Sequence, residues 1–77
     1  SKYNALWSFV SQQDGTTVTL SFAEIEQAAG VPLDHSFLSY KKELIDYGWQ
    51  VEKISLKRKT VKFSGDEGER VVNNLLD

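Results

Sequence analysis

The chain has no cysteine, a single histidine and a single proline in 77 residues. Without cysteine there is neither a disulfide framework nor a thiolate metal site. One histidine, His35, does not make a zinc site alone. No apolar run approaches the roughly 18 residues that span a bilayer. The opening Ser1-Lys2-Tyr3-Asn4 lacks the apolar core of a secretory signal. There is no P-loop, no glycine-rich dinucleotide turn and no metal-ligand spacing. These absences point to a soluble, cytoplasmic, noncatalytic chain with no cofactor, no bound metal and no membrane partner.

A chain this short makes one domain, with little surface to bury and a thin stability margin. Stability then rests on apolar packing. Two tryptophans, four phenylalanines and three tyrosines supply large buried area per residue. The formal charge of −2 conceals a split. Residues 1–33 set Lys2 against Asp14, Glu24 and Glu26. Residues 34–62 hold Lys41, Lys42, Lys53, Lys57, Arg58, Lys59 and Lys62 against Asp34, Glu43, Asp46 and Glu52. Residues 63–77 set Arg70 against Asp66, Glu67, Glu69 and Asp77. A local positive field therefore sits inside an acidic protein.

Tyr3, Leu6, Trp7 and Val10 follow i, i+3, i+4, i+7, one apolar stripe on a helix that ends near Gln12. Thr16 to Leu20 is β-branched and alternating, a short strand. Ser21-Phe22-Ala23-Glu24 is a capping box opening a two-turn helix that Gly30 closes and Pro32 keeps from continuing. Asp34 is an N-cap for a third helix running to Tyr47, with Gly48 after it. Phe37, Tyr40, Leu44 and Tyr47 share its apolar face, flanked by Leu38 and Ile45. Its opposite face is His35, Ser39, Lys42, Glu43 and Asp46.

Ile54 and Leu56, then Val61 and Phe63, alternate as a hairpin. Folding at Arg58-Lys59 pairs Leu56 with Val61 and Ile54 with Phe63. The turn lacks the Gly or Asn of a tight primed turn, so a four-residue loop is an equal alternative. Trp49 and Val51 are out of phase with Ile54, which implies a late strand start or a bulge. Ser64-Gly65-Asp66-Glu67 opens either a short helix, with Val71, Val72, Leu75 and Leu76 as its apolar side, or a plain tail. The expectation is one α+β domain over 1–77, a winged-helix-like core over 1–63 in the order helix, strand, helix, helix, strand, strand, and a C-terminal segment over 64–77.

Lys2, Tyr3 and Leu6, the run Thr19 to Glu26, Gly30-Val31-Pro32-Leu33, and Tyr47-Gly48-Trp49-Gln50-Val51 together form a pattern. With it, the chain resembles a small uncharacterised bacterial domain family with Lys-Tyr-x-x-Leu, Phe-x-Glu-Ile-Glu, Gly-x-Pro-Leu and Gly-Trp-x-Val elements. Asp34 to Leu44 is similar to a shorter branch of it, without the Trp-Trp segment of longer members. The resemblance covers residues 2–63 and implies no activity.

The basic hairpin is the candidate site. Lys53, Lys57, Arg58, Lys59 and Lys62, with Lys42 on the third helix, are the residues expected to meet the phosphates of duplex DNA. Lysines on an edge ribbon also serve simply to discourage strand pairing. The third-helix face is mixed in charge and lacks Arg, Asn and Gln, the strong base readers. His35 has no aligned nucleophile, and Glu24 reads as a cap rather than an acid. Two readings stand: a weak nucleic-acid binder acting through the hairpin, or a module for a protein partner that binds no nucleic acid. Oligomeric state is left open.

Overall fold

Residues 1–65 are described by the computed structural model. Among them α1 spans Asn4–Ser11 and buries Leu6, Trp7 and Val10, the apolar stripe read from spacing. Next comes β1, Thr17–Ser21. The capping box then starts α2, Phe22–Ala29. The Glu24 amide donates to Ser21 Oγ at 3.0 Å, and the Ser21 amide donates to Glu24 Oε1 at 2.8 Å. Two orphan helix N–H groups are satisfied reciprocally, which sets the start of α2 to the residue. Gly30 ends it at φ 76°, a left-handed conformation that costs glycine nothing.

The third helix differs from expectation. It is a short α3, Ser36–Tyr40, followed by a 3₁₀ segment, Lys41–Tyr47, which Gly48 ends at φ 80°. The residue at its N-cap is His35, without a side-chain cap bond, rather than the expected Asp34; Asp34, one residue earlier, accepts from the Ser36 amide at 2.9 Å and from the Ser36 hydroxyl. The change from about 100° to about 120° per residue rotates the second half of the segment. Phe37 and Leu44 remain buried, while Leu38, Tyr40, Ile45 and Tyr47 reach the surface. The continuous apolar face expected through Tyr47 is thus broken.

The strands β2, Trp49–Ser55, and β3, Thr60–Gly65, complete an antiparallel sheet in the order β1-β3-β2. The domain is α+β, in the expected order of helix, strand, helix, helix, strand, strand. The hairpin register needs correction. Ile54 pairs with Val61 and Val51 with Phe63, so neither Leu56–Val61 nor Ile54–Phe63 forms. The physical reason is the turn. Ser55 pairs with Thr60, leaving Leu56–Lys59 as a four-residue loop, and Leu56 leaves the sheet. The register shift between Val51 and Lys53 is a bulge at Glu52. It restores phase, so Trp49, Val51 and Ile54 all turn toward the core.

One face of the sheet packs against the helices around Tyr3, Leu6, Trp7, Ile25, Leu44, Val61 and Phe63, all nearly inaccessible. The strand pairing runs to Gly65, two residues past the expected core boundary at 63. There a Cβ would meet the Trp49 ring at 2.8 Å, so only glycine lets the buried indole lie on the strand. Ser64 and Gly65 are strand residues. The rest of the expected C-terminal helix, with Val71, Val72, Leu75 and Leu76, lies outside the described residues.

Candidate functional site

The hairpin tip is held by its own backbone. Ser55 Oγ accepts from the Arg58 amide at 3.1 Å. The Phe22 amide, at the start of α2, donates to the Lys59 carbonyl at 2.8 Å. Lys59 itself takes φ 55°, the one positive φ outside glycine among the described residues. A lysine there stores roughly 1–2 kcal/mol of backbone strain. The loop therefore presents Lys57, Arg58 and Lys59 from a fixed frame. All three are exposed and have no ion-pair partner among the described residues.

The other sequence candidates are placed differently. Lys53 and Lys62 lie opposite each other on the outer sheet face. Like charges there repel, and Glu52 answers: its carboxylate sits 2.9 Å from Lys62 Nζ. The bulge that corrects the phase thus also supplies this counter-charge, leaving Lys62 less available to a phosphate. Lys42 is exposed but belongs to the 3₁₀ segment, which leads into β2 at the end of the ribbon remote from the tip. Thr17, Thr19, Gln50 and Ser64 complete the outer sheet face, in register with these lysines.

The mixed face of the third helix is altered by the 3₁₀ turn. Glu43 is half-exposed, unlike the exposed His35, Ser39, Lys42 and Asp46, and is turned toward the N-terminal helix. Its carboxylate accepts from Trp7 Nε1 at 2.9 Å and from the Ser1 hydroxyl. Asp34 is likewise engaged, by Lys2 Nζ at 2.8 Å and by the Tyr3 hydroxyl at 3.3 Å. Glu43 ties α1, and Asp34 the residues just before it, to the segment after Pro32. Hydrogen bonds to Lys2 and Ser36 hold Asp34 well below the usual carboxylate range, and those to Ser1 and Trp7 lower Glu43. The Asp34 bond in turn raises Lys2.

These shifts set a pH dependence. Carboxyls depressed by folding contribute fully at neutral pH, and that contribution is lost as pH falls through their folded values, below the ordinary 3.8 and 4.5. The raised Lys2 contributes below 10.5 and loses its part only above it. Thermal melts should therefore be flat through neutral pH and fall in acid, with a shallower acid slope in Asp34→Asn and Glu43→Gln. Identical acid slopes in parent and variants would remove these clamps as the cause.

Beside the tip runs an apolar groove of about 470 Å³, lined by Phe22, Leu33, Leu38, Ile54 and Leu56, with Glu26, Asp34 and His35 among its polar edges. The Glu26 carboxylate is occupied by the Leu33 amide at 2.7 Å. Leu56, expected in the core, is instead 78% exposed. The signal that could have exposed it was present: a turn without Gly or Asn favours the longer loop, and that loop removes Leu56 from the ladder. His35 is exposed on the groove edge. Among the described residues no cluster of His, Asp or Glu is placed to hold a metal ion, and no helix is long and apolar enough to cross a membrane.

The chain matches no protein-family model, no curated protein and no solved structure.

Proposed function

We propose that this is a noncatalytic, winged-helix-like, cytoplasmic domain that binds duplex DNA weakly through its basic hairpin, without reading sequence through the third helix. The resemblance to a small bacterial domain family belongs to the same proposal. One observation carries the reading: Lys57, Arg58 and Lys59 project, exposed, from a loop whose backbone is tied to Ser55 and to the start of α2. A pre-set backbone spares the cost of ordering the loop when its cations meet phosphates. The third-helix segment supports a nonspecific mode. Its α-helical part is five residues long, and its exposed polar residues, His35, Ser39, Lys42 and Asp46, include no Arg, Asn or Gln.

Phosphate contacts release counterions, so affinity should fall with about one power of salt per contact. Doubling the salt should weaken binding roughly three-fold for two contacts and roughly twenty-fold for five. A titration of labelled duplex DNA at two salt concentrations measures this. Absence of binding at low salt would refute the reading.

The groove favours a second reading, a module for a protein partner. Leu56 and Leu38, 78% and 52% exposed, form apolar lips over Phe22 and Ile54. Pull-down partners lost on Leu56→Asp, with no DNA binding by the parent protein, would establish it.

A further inference from the structure

We propose that Leu56 is a wedge that enters a base step when the hairpin tip meets duplex DNA, so that the domain selects deformable steps in the minor groove. This rests on the DNA-binding reading and specifies how that site engages its ligand. The observation is a juxtaposition. The most exposed large apolar side chain among the described residues, at 78%, stands at the first position of the loop that also carries Lys57, Arg58 and Lys59. Packing does not explain it, because the four-residue turn removes Leu56 from the strand ladder and Ile54 takes its expected place opposite Val61. Leaving leucine in water forgoes most of the free energy of burying it.

The loop has what a wedge needs. An apolar side chain enters a base step only if neighbouring cations hold the two backbones on either side, and if its own support does not yield. The three cations following Leu56 supply the first. The bonds from the Arg58 amide to Ser55 Oγ and from the Phe22 amide to the Lys59 carbonyl supply the second. The three-stranded sheet ends at this loop, with Ser21 and Ser55 flanking Thr60, and the outer face behind it is polar: Thr60, Lys62 and Lys53. Leu56 is thus the apolar member of an otherwise cationic loop. Pyrimidine–purine steps such as TA unstack most easily, whereas A-tracts are stiff. A wedge converts that difference into selectivity without any base-edge hydrogen bond, in keeping with a third helix whose exposed face carries no Arg, Asn or Gln.

The test uses two short duplexes, one with a central TA step and one with an A-tract, each carrying a fluorescent adenine analogue whose emission rises on unstacking. The whole chain should bind the TA duplex more tightly and raise its emission. Leu56→Ala should abolish the emission rise and the preference, lower affinity for the TA duplex roughly three- to tenfold, and leave the salt slope unchanged. Leu56→Met, which keeps an apolar point, should retain both signals. Leu56→Ala that still unstacks and still prefers the TA duplex would overturn the wedge while leaving the electrostatic reading intact. The same result holds if the parent binds both duplexes equally with no emission change. No binding by the parent at low salt would remove both, and Leu56 would then belong to the apolar groove.

Discussion

Trp7→Ala should cost about 3–5 kcal/mol, the scale of a core aromatic truncation. Trp7 is fully inaccessible and belongs to an aromatic group, its ring 5.8 Å from both Tyr3 and Phe37. It links α1 to the 3₁₀ segment, because Nε1 donates to Glu43. Removing the indole opens a cavity between these elements and also leaves Glu43 without that donor. A domain of this size has a total stability near the lower end of roughly 5–15 kcal/mol. The variant should therefore be largely unfolded at moderate temperature, by circular dichroism or by the loss of amide dispersion. Trp7→Phe should fall between variant and parent, because it fills part of the space. A Trp7→Ala protein melting within a degree or two of the parent would show that the side chain does not hold these helices together.

The second large effect is on binding. Replacing Arg58 and Lys59 with glutamate should abolish duplex DNA binding and leave the melting temperature nearly unchanged. Nonspecific association starts from a Kd on the order of 10⁻⁴ to 10⁻⁶ M, so the loss of two contacts and the addition of two repelling charges takes it below detection. A milder pair, Arg58→Gln with Lys59→Gln, should lower the salt slope by about two. Stability should not follow, because both side chains are exposed and the bonds that shape the loop use backbone atoms of Arg58 and Lys59. Exposed substitutions of this kind usually stay within about 0.5 kcal/mol. Full DNA binding by the double glutamate variant would move the contact surface to the outer sheet face, where Lys53 stands.

Local signals in the sequence were read correctly where one residue's chemistry decides the structure. The Ser21–Glu24 box, Gly30 and Gly48 mark boundaries because each satisfies or permits a specific backbone conformation. The stripe through Tyr3, Leu6, Trp7 and Val10 was legible because a straight α-helix keeps its period. The segment after Asp34 was harder, since an α-helix that tightens into 3₁₀ changes period partway. Glu43 then swings toward Trp7 while Tyr47 and Ile45 turn outward. The hairpin register depended on loop length. Two residues more in the turn move every pair, and a bulge at Glu52 then returns the upper strand to phase. The cationic tip was visible from composition. Its rigidity was not, because it depends on Phe22, which is remote in sequence from Lys59.

The order of strands in the sheet bears on how the protein is made. β1 and β2 both pair with β3, and β3 is the last of the described elements to be synthesised. Until residues 60–65 have left the ribosome, neither earlier strand has its sheet partner. Val61 and Phe63, which complete the core, are missing for the same interval. The helices alone are too short to persist without that packing. The sheet therefore cannot close before the central strand is present, and a nascent chain ending before Thr60 would lack the surface that Val61 and Phe63 give to the aromatic core.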